Sequence, residues 1–309
     1  KALQAGTSHN LSSNFAKALW PGVNAWYGKA YDEFPVEWTS LYEQFTSRKQ
    51  YEEDVGVAGL GLAQVKSEGA PVQFDSEKQG FTNRYTHVEY ALGFIVTQIA
   101  FEDDQYDVIA ERRARNLAFS MRQTKEIVAA NVYNRAFNTS YTGGDGLCML
   151  NSAHLNVSGG TYSNILSTAA NLSEASLEQA CIDFGKYTND RGLRIAVKGK
   201  SLVIPVDLEF EAARIMKNVN RPETANRDIN ALVNLGKFPD GIIMNHYLTS
   251  TTAWFVRTSV GNGMKYFTRR DDSFAEDNDF STANAQFKAA ARYSFGWTDP
   301  RGLYGTAGV

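Results

Sequence analysis

The chain has 309 residues, of which 43% are apolar, and a formal net charge of −3 at pH 7. This is enough apolar material for one large domain or two ordinary ones, but the charge balance argues against a surface built to grip nucleic acid or anionic lipid, since such binding needs clustered lysines and arginines. Its two cysteines, Cys148 and Cys181, exclude a disulfide framework and a site of paired cysteine ligands, so we expect two small core residues in a reducing compartment.

Membrane and secretory segments are not predicted. The most apolar run, residues 91–101, is too short to cross a bilayer, and residues 1–15 lack the apolar centre of a secretory signal. The first residue is Lys1 and not Met. This is compatible with removal of an initiator or of a longer leader, and equally with a sequence that begins late.

The first fifty residues are rich in aromatic side chains and are interrupted by Pro21, Gly22 and Pro35. Such rings need cover, because exposed aromatic patches mark contact surfaces. The residues by themselves leave two alternatives open: the rings pack in the protein's own core or against a neighbouring chain. The aromatic residues concerned are Trp20, Trp26, Tyr27, Tyr31, Phe34, Trp38, Tyr42 and Phe45.

Residues 56–81 are rich in Gly, Ser and charge and predict a long two-stranded excursion with turns at EGAP (68–71) and SEKQG (76–80). Gly59-Leu60-Gly61 begins a dinucleotide-binding G-x-G-x-x-G, but Gln64 stands at the third glycine position and the motif fails. In residues 84–101, polar and apolar side chains first alternate and the sequence then becomes wholly apolar. This pattern predicts a strand that passes from the edge of a sheet into a core.

Residues 103–137 predict the longest helix of the chain, because apolar and small side chains recur at steps of three and four residues. Acidic residues at 102, 103, 104 and 107 fall at its N-terminal end, where the helix dipole favours negative charge. At ~1.5 Å per residue the helix is about 50 Å long, which suggests a strut. The stripe consists of Tyr106, Ala110, Ala114, Leu117, Met121, Thr124, Val128, Val132 and Ala136.

The remainder alternates between strands and helices, which describes an α+β unit. A Gly- and Asn-rich loop at 142–164 precedes a helix that begins near Ser173, with Glu174 and Glu178 near its positive end. We then expect a strand at 193–197, a turn, a strand at 201–205, a helix from Asp207 to about Lys217 and strands at 241–248 and 253–259. An acidic loop at 269–280 and a long strand at 287–297 with one buried face complete the chain.

One short motif suggests nucleotide chemistry. Gly199-Lys200-Ser201 is the tail of the phosphate-binding signature G-x-x-x-x-G-K-[ST]. The signature needs a glycine where this chain has Arg194, and it must open a helix, whereas Ser201 opens an apolar strand. We therefore interpret Lys198 to Lys200 as the solvated turn of a hairpin.

Other candidate sites are weaker still. The histidines His9, His87, His154 and His246 are far apart and lack metal-binding spacing. Asn151-Ser152-Ala153-His154 has no nucleophile elbow around it, and Asp277-Asn278-Asp279 lacks the glycine and the glutamate of a calcium loop. The pairs Asp103-Asp104 and Asp271-Asp272 are better explained by a helix start and a turn. The sequence predicts no catalytic, cofactor-binding or metal-binding residue, and no cofactor.

The order of elements resembles the major capsid proteins of tailed bacteriophages, which have the Hong Kong 97 fold, and within them the Mu-like major head subunit group. GLGLAQVKSEGAPVQFDSEKQGF, returning through EYALGFIVTQIAFEDDQYDVI into ERRARNLAFSMRQTKEIVAANVYNRAF, is similar to that family's extended loop and spine helix. DGLCMLNSAHLN resembles the following loop, RIAVKGKSLVIPVDLEFEAARIMKN resembles the axial-domain strand and helix, and FKAAARYSFGWTDPRGLYGT resembles the closing strand and tail.

The resemblance implies five segments: an N-terminal arm at 1–50, an extended loop at 51–83, a peripheral domain at 84–189 with its spine helix at 103–137, an axial domain at 190–263, and return strands of the peripheral domain at 264–309. Residues 56–83 would lie across a neighbouring subunit, the arm would clamp another, and residues 190–263 would point to the centre of each hexamer or pentamer. Lys66 and Lys78 lie in the extended loop, where some relatives form isopeptide cross-links, but no matching motif surrounds them.

The function implied is structural and not enzymatic: self-assembly into an icosahedral shell around double-stranded DNA, inside the virion and assembled in the host cytoplasm. The implied partners are other copies of the chain, the packaged DNA, a portal, a scaffolding protein or maturation protease, and decoration proteins. Two alternatives stay open. One is an encapsulin-like compartment shell of the same fold, and the other is an α/β enzyme with an unrecognised site.

Overall fold

The computed structural model of the chain describes residues 15–69, 71–97, 99, 106–220, 228–279 and 284–309. In these ranges five α-helices are present: α1 (Phe15–Glu33), α2 (Tyr106–Asn134), α3 (Glu174–Gly185), α4 (Glu209–Lys217) and the short α5 (Ala231–Asn234). Short 3-10 helices occupy Trp38–Ser40, Val206–Leu208 and Pro300–Gly302. The predicted strut is therefore confirmed over Tyr106–Asn134. Its predicted acidic start at 102–104 lies outside the described residues.

Twelve strands lie in the described ranges, in four sheets. The strands are β1 (Glu43–Thr46), β2 (Tyr51–Ala58), β3 (Lys78–Thr86), β4 (Val88–Val96), β5 (His154–Leu155), β6 (Thr161–Tyr162), β7 (Gly199–Ile204), β8 (Ile242–Met244), β9 (Trp254–Thr258), β10 (Met264–Asp279), β11 (Asn284–Trp297) and β12 (Leu303–Thr306). Two sheets have four strands, in the orders β1-β10-β11-β4 and β12-β9-β7-β8, and β2-β3 and β5-β6 form two-stranded sheets. Mixed helices and strands confirm the predicted α+β class.

The chain divides into two compact units. The first contains residues 1–36, 87–127 and 268–294, and the second contains residues 37–86, 128–267 and 295–309. Helix α2 and strands β10 and β11 contribute residues to both units. The boundaries of these two units do not coincide with those of the five segments that the resemblance implies. The five segments stay predictions.

The first unit is built on the antiparallel pair β4 and β11, in register from Ala285 opposite Val96 to Tyr293 opposite Val88. Helix α1 packs here through aromatic stacking: the ring centroids of Trp20 and Tyr27 lie 5.1 Å and 4.5 Å from that of Phe274. The Tyr27 hydroxyl also donates to the carboxylate of Asp272, and burial raises the pKa of Tyr27 well above its usual value. Leu19, Val23, Tyr27 and Ala30 form the buried stripe of α1.

This packing shows that part of the aromatic segment lies in the protein's own core. Trp38 and Tyr42, in the second unit, are also buried in their own chain, and the Trp38 ring lies 4.4 Å from that of Tyr266. The rings of α1 find cover because its stripe continues through Pro21 and meets Phe274 of β10. Phe45 is 39% exposed, and the expectation that the arm clamps another subunit stays a prediction. Residues 1–14 of the predicted arm lie outside the described residues.

The core of the second unit lies between the sheet β12-β9-β7-β8 and helices α3 and α4. Helix α3 begins as predicted at Ser173, whose hydroxyl accepts from the Ser176 N–H at 3.1 Å, and the Ser176 hydroxyl accepts in return from the Ser173 N–H at 2.9 Å. The core consists of Leu166, Leu172, Leu177, Ala180, Phe184, Tyr187, Val197, Leu202, Ile204, Ala212, Ile215, Leu232, Phe238, Trp254, Val256 and Tyr304.

Three local predictions are wrong. Residues 193–197 form no strand, since Ala196 has φ 49° and only a single bridge joins Thr188 to Arg194. Residues 269–279 are strand and not an acidic loop, because β10 is flanked by β1 and β11 and their hydrogen bonds override low strand propensity. The turn predicted at SEKQG is wrong because β3 already begins at Lys78, whereas the turn at Glu68 and Gly69 is confirmed.

Candidate functional site

The two-stranded excursion is the part of the described chain least supported by its own core. Strands β2 and β3 pair antiparallel, with Tyr51 opposite Thr86, and no third strand joins them among the described residues. A two-stranded hairpin is marginally stable in water by itself. Contacts at its base and at its far end therefore decide its conformation.

An ion pair between the buried Lys265 and the partly exposed Asp54 fixes the base of the hairpin. The carboxylate of Asp54 on β2 accepts a hydrogen bond from the Lys265 ammonium and another from the Thr298 hydroxyl, the latter at 2.6 Å. Lys265 is only 5% exposed, and its ammonium also lies 5.2 Å from the centre of the Phe45 ring. A buried ammonium needs such partners, because removing an ion from water without compensation is expensive.

Strand β3 is held by the same region of the chain. The Asn83 side chain donates to the Thr298 carbonyl at 2.9 Å and accepts from the Gly144 N–H at 2.6 Å. The Tyr85 hydroxyl lies 2.7 Å from the Thr298 hydroxyl, and burial raises the pKa of Tyr85. A Cβ on Gly144 would come within 2.5 Å of the Thr82 carbonyl, so only glycine permits this approach.

The hairpin is bent where two glycines face each other. Its register shifts between Val55 and Val57, as at a β-bulge. A Cβ added to Gly80 would lie 2.7 Å from the Gly56 carbonyl oxygen, closer than any relaxed contact. The absence of a side chain at Gly80 therefore allows this close approach at the bulge, which separates the fixed base from the far end of the hairpin.

The far end, residues 59–77, is pinned by one carboxylate. Asp75 accepts from the N–H groups of Gly61 and Ser76, each at 2.8 Å, and from the Arg191 guanidinium at 2.5 Å. Arg191 also donates to the Ser76 carbonyl. The N–H of Gly61 first, and then that of Ser76 and the guanidinium, hold the pKa of Asp75 below its usual value. The segment thus has a defined path without forming a strand.

Large apolar side chains on this segment face solvent. Val65 is 98% exposed and Phe74 is 96% exposed. Single exposed apolar residues are normal on protein surfaces, but a cluster on one excursion marks an interaction surface. We call Leu60, Leu62, Val65, Val72 and Phe74 the apolar arm; all five are exposed.

A cavity of about 120 Å³ lies beside the hairpin base, in the second unit. Its charged groups are already partnered: the buried Arg301 guanidinium lies 2.9 Å from Asp190 and 3.3 Å from Asp299, and 4.0 Å from the Tyr162 ring centre. Asp145 in turn lies 2.5 Å from Nδ1 of His154. Burial raises the pKa values of Asp299 and Tyr162. This arrangement ties distant chain segments together.

The structure does not bring the histidines together. His87 and the Ser294 hydroxyl are 2.9 Å apart, His154 contacts Asp145, and His246 contacts Glu37 at 2.5 Å. His9 lies outside the described residues. Within the described ranges, no three His, Cys, Asp or Glu side chains are arranged to hold a metal ion.

The remaining motifs also serve structural roles. Ser201 is buried in β7 and opens no helix, so the strand predicted after this motif is confirmed. The predicted hairpin turn is wrong, however, because Gly199 and Lys200 already belong to β7, whose partners β8 and β9 come later in the chain. In the motif Asn151-Ser152-Ala153-His154, the Ser152 side chain is exposed while the His154 ring contacts Asp145.

The structure also places the remaining candidate residues. Cys148 is buried, and burial raises the pKa of the half-buried Cys181 to about 11. Asp271-Asp272, predicted in a turn, and Asp277, predicted in an acidic loop, lie within β10. Lys66 and Lys78 are exposed on the excursion. None of the helices in the described part of the chain combines the length and apolar character that a bilayer crossing needs.

Comparison with known proteins decides the family. The family model described as phage capsid protein matches residues 81–306. The chain belongs to the phage capsid protein family. It is a major capsid protein, and its mixed helix and strand architecture is that of the Hong Kong 97 fold, as predicted. The narrower prediction, the Mu-like group, stays a prediction. No curated protein is detectably similar in sequence.

Solved capsid structures share the fold of this family member. The capsid of an empty GTA particle matches with a TM-score of 0.53 and 11% identity, covering 87% of this chain and 88% of that one. The procapsid of bacteriophage JBD30 matches with a TM-score of 0.51 and 12% identity, covering 95% of this chain and 75% of that one. A virus-like particle from Pyrococcus furiosus matches with a TM-score of 0.50 and 10% identity, covering 93% of this chain and 98% of that one. At such identities the likeness concerns the fold alone.

Proposed function

We propose that this capsid protein assembles as hexamers and pentamers into an icosahedral shell that encloses double-stranded DNA. The observation that carries the proposal is the apolar arm: a two-stranded excursion with open edges and exposed Val65 and Phe74 needs a partner surface. The same surface occurs once in every copy. A head-to-tail contact between copies can therefore close into rings and shells.

Within this shell, residues 51–83 act as the extended loop that lies across a neighbouring subunit, and residues 190–263 act as the axial domain near the centre of each ring. The fixed base and the pinned far end support this role, since a surface held in one conformation loses less entropy when it binds. Residues 1–50 form the arm, while 84–189 and 264–309 form the peripheral domain.

The partners and location follow from the same role. The net charge of −3 suits a wall that contains DNA without holding it tightly. The chain acts structurally and not as an enzyme, needs no cofactor, and meets a portal, a scaffolding protein or maturation protease, and decoration proteins. Assembly takes place in the host cytoplasm and the product is the capsid of the virion.

Electron microscopy and sedimentation of the expressed chain test this function. We expect closed particles or capsomers, and nuclease-protected DNA where packaging is possible. Val65→Ser combined with Phe74→Ser removes two apolar contacts and should shift the protein to small species. Val309→Ser, which alters another exposed apolar residue (81%) outside the excursion, should not. Monomers at high concentration would contradict the proposal. Particles filled with protein in place of DNA would favour an encapsulin-like compartment.

A further inference from the structure

A second candidate contact surface lies in the second unit. A groove of about 420 Å³ runs between α4, α5 and β8, and β8 is the edge strand of its sheet. The lining combines the apolar side chains of Met216, Val233, Phe238 and Ile242 with the charged side chains of Lys217 and Lys237.

The groove is large enough for an aromatic side chain. A cavity of ~150 Å³ lined by apolar side chains already binds benzene. Glu209 is the one acidic residue among those lining the groove, so the two lysines leave its rim with net positive charge. A complementary occupant is therefore an apolar, preferably aromatic, side chain flanked by carboxylates.

The same helix carries such a side chain at the border of the groove, because Phe210 lies on nearly the same helix face as the lining residue Lys217, two turns later. Phe210 of α4 is 73% exposed and does not line the groove of its own copy. Val206, one turn earlier, is exposed as well, and Asp207 and Glu211 flank the ring on the chain. Glu211 also contacts Arg214 at 3.3 Å. Phe210 thus stands on the surface as an aromatic knob, with Asp207 on one side along the chain and the ion pair of Glu211 and Arg214 on the other.

We propose that Phe210 of one copy inserts into the groove between α4, α5 and β8 of the next copy of this chain. The proposal rests on the proposed function, which requires repeated contacts between copies. Knob and groove match in apolar character and in charge, with Asp207 facing Lys217 and Lys237. Because the knob and the groove are distinct surfaces of each copy, a contact in which every copy gives its knob to the next is head-to-tail and can repeat around a ring.

A matched set of variants tests the contact by sedimentation at increasing protein concentration. Phe210→Ala should raise the concentration for half-maximal assembly at least about tenfold, as expected for truncation of a buried aromatic anchor. Ala213→Trp, which fills the groove, should do the same. Leu235→Ala is the control, since Leu235 is 69% exposed but does not line the groove, and it should stay within about twofold.

The charge match is tested by reversal. Lys237→Glu should weaken assembly, and adding Asp207→Lys should restore it at least partly, which a general loss of stability would not do. Thermal melting of each variant shows whether the subunit itself stays folded.

The outcomes separate the two proposals. A wild type that forms particles together with a Phe210→Ala variant that assembles at the same concentration would overturn the knob and groove alone. A wild type that remains monomeric at high concentration would overturn this contact together with the proposed function. Loss of assembly in Leu235→Ala equal to that in Phe210→Ala would also contradict the specific contact.

Discussion

Replacing Asp54 by alanine tests whether the buried ion pair holds the base of the hairpin. The Asp54 carboxylate is the only acidic partner of Lys265 recorded in the described part of the chain, and Lys265 is 5% exposed. Without it, the ammonium keeps the Phe45 ring at 5.2 Å, and cation–π attraction of ~0.5–2 kcal/mol offsets only part of the lost charge pairing. The hydroxyl of Thr298 also loses this acceptor and keeps the Tyr85 hydroxyl at 2.7 Å as its neighbour.

The expected loss is large relative to the stability of the unit. Removing one partner of a buried ion pair costs about 3–5 kcal/mol, and whole domains are stable by only about 5–15 kcal/mol. For a unit of this size, each kcal/mol lowers Tm by about 2–4 °C. Asp54→Ala should therefore melt roughly 6–20 °C below the wild type.

Thermal melting of three variants measures this effect. Glu77→Ala removes an exposed carboxylate from the same excursion and should change Tm little. Asp54→Ala combined with Lys265→Met should recover most of the loss, since an apolar pair in place of a buried ion pair is often neutral. A loss below about 1 kcal/mol in Asp54→Ala would refute burial of the pair. A double variant no better than the single one would refute the explanation by uncompensated charge.

Three further predictions concern the far end of the hairpin and the half-buried thiol. Arg191→Ala should speed proteolysis within residues 59–77 with little change in Tm, because the pair with Asp75 is partly exposed. In the wild type, this segment should be protected from proteolysis at pH 7. The protection should be lost as pH falls through the lowered pKa of Asp75, below its usual ~3.9. Gly80→Val should lower the yield of particles and cost about 1–3 kcal/mol by melting, whereas Gly59→Val, with no atom near its Cβ position, should not. Cys181 should react with a thiol reagent at pH 8 about 100-fold more slowly than an unshifted thiol, since its pKa is about 11 instead of 9.0.

Each of these has a clear contrary result. Equal cleavage of the Arg191→Ala variant and the wild type would show that the pin does not hold the segment. Equal yields from both valine variants would show that the close approach of the two glycines is dispensable. Reaction of the folded protein as fast as the unfolded one would contradict burial of Cys181.

The elements that the sequence predicted correctly are those whose signal is local. Helix α2 follows from a stripe at steps of three and four residues, and its Ala110, Ala114, Leu117 and Met121 are buried. The start of α3 follows from a capping pattern four residues long. Strand β11 follows from alternation, although Ala290 is buried as well, so that its burial is less one-sided than predicted.

The elements that it missed depend on partners far away in the chain. Helix α1 contains Pro21, a helix-breaking signal by itself, yet its rings are matched by Phe274. The acidic strand β10 exists because β1 and β11 flank it. The pin between Asp75 and Arg191 joins side chains 116 positions apart, and no local pattern can indicate such a pair.

The sequence by itself therefore determined the fold class, the long helix, the excursion and, through their order, the resemblance to capsid proteins. It also excluded a phosphate-binding loop at Gly199-Lys200-Ser201, since the spacing and the following strand are local facts. Only the tertiary structure decided where the aromatic rings pack, how Asp54 and Lys265 fix the hairpin, and which apolar side chains stay exposed. The physical reason is that burial and ion pairing depend on distance in space, which periodicity along the chain does not record.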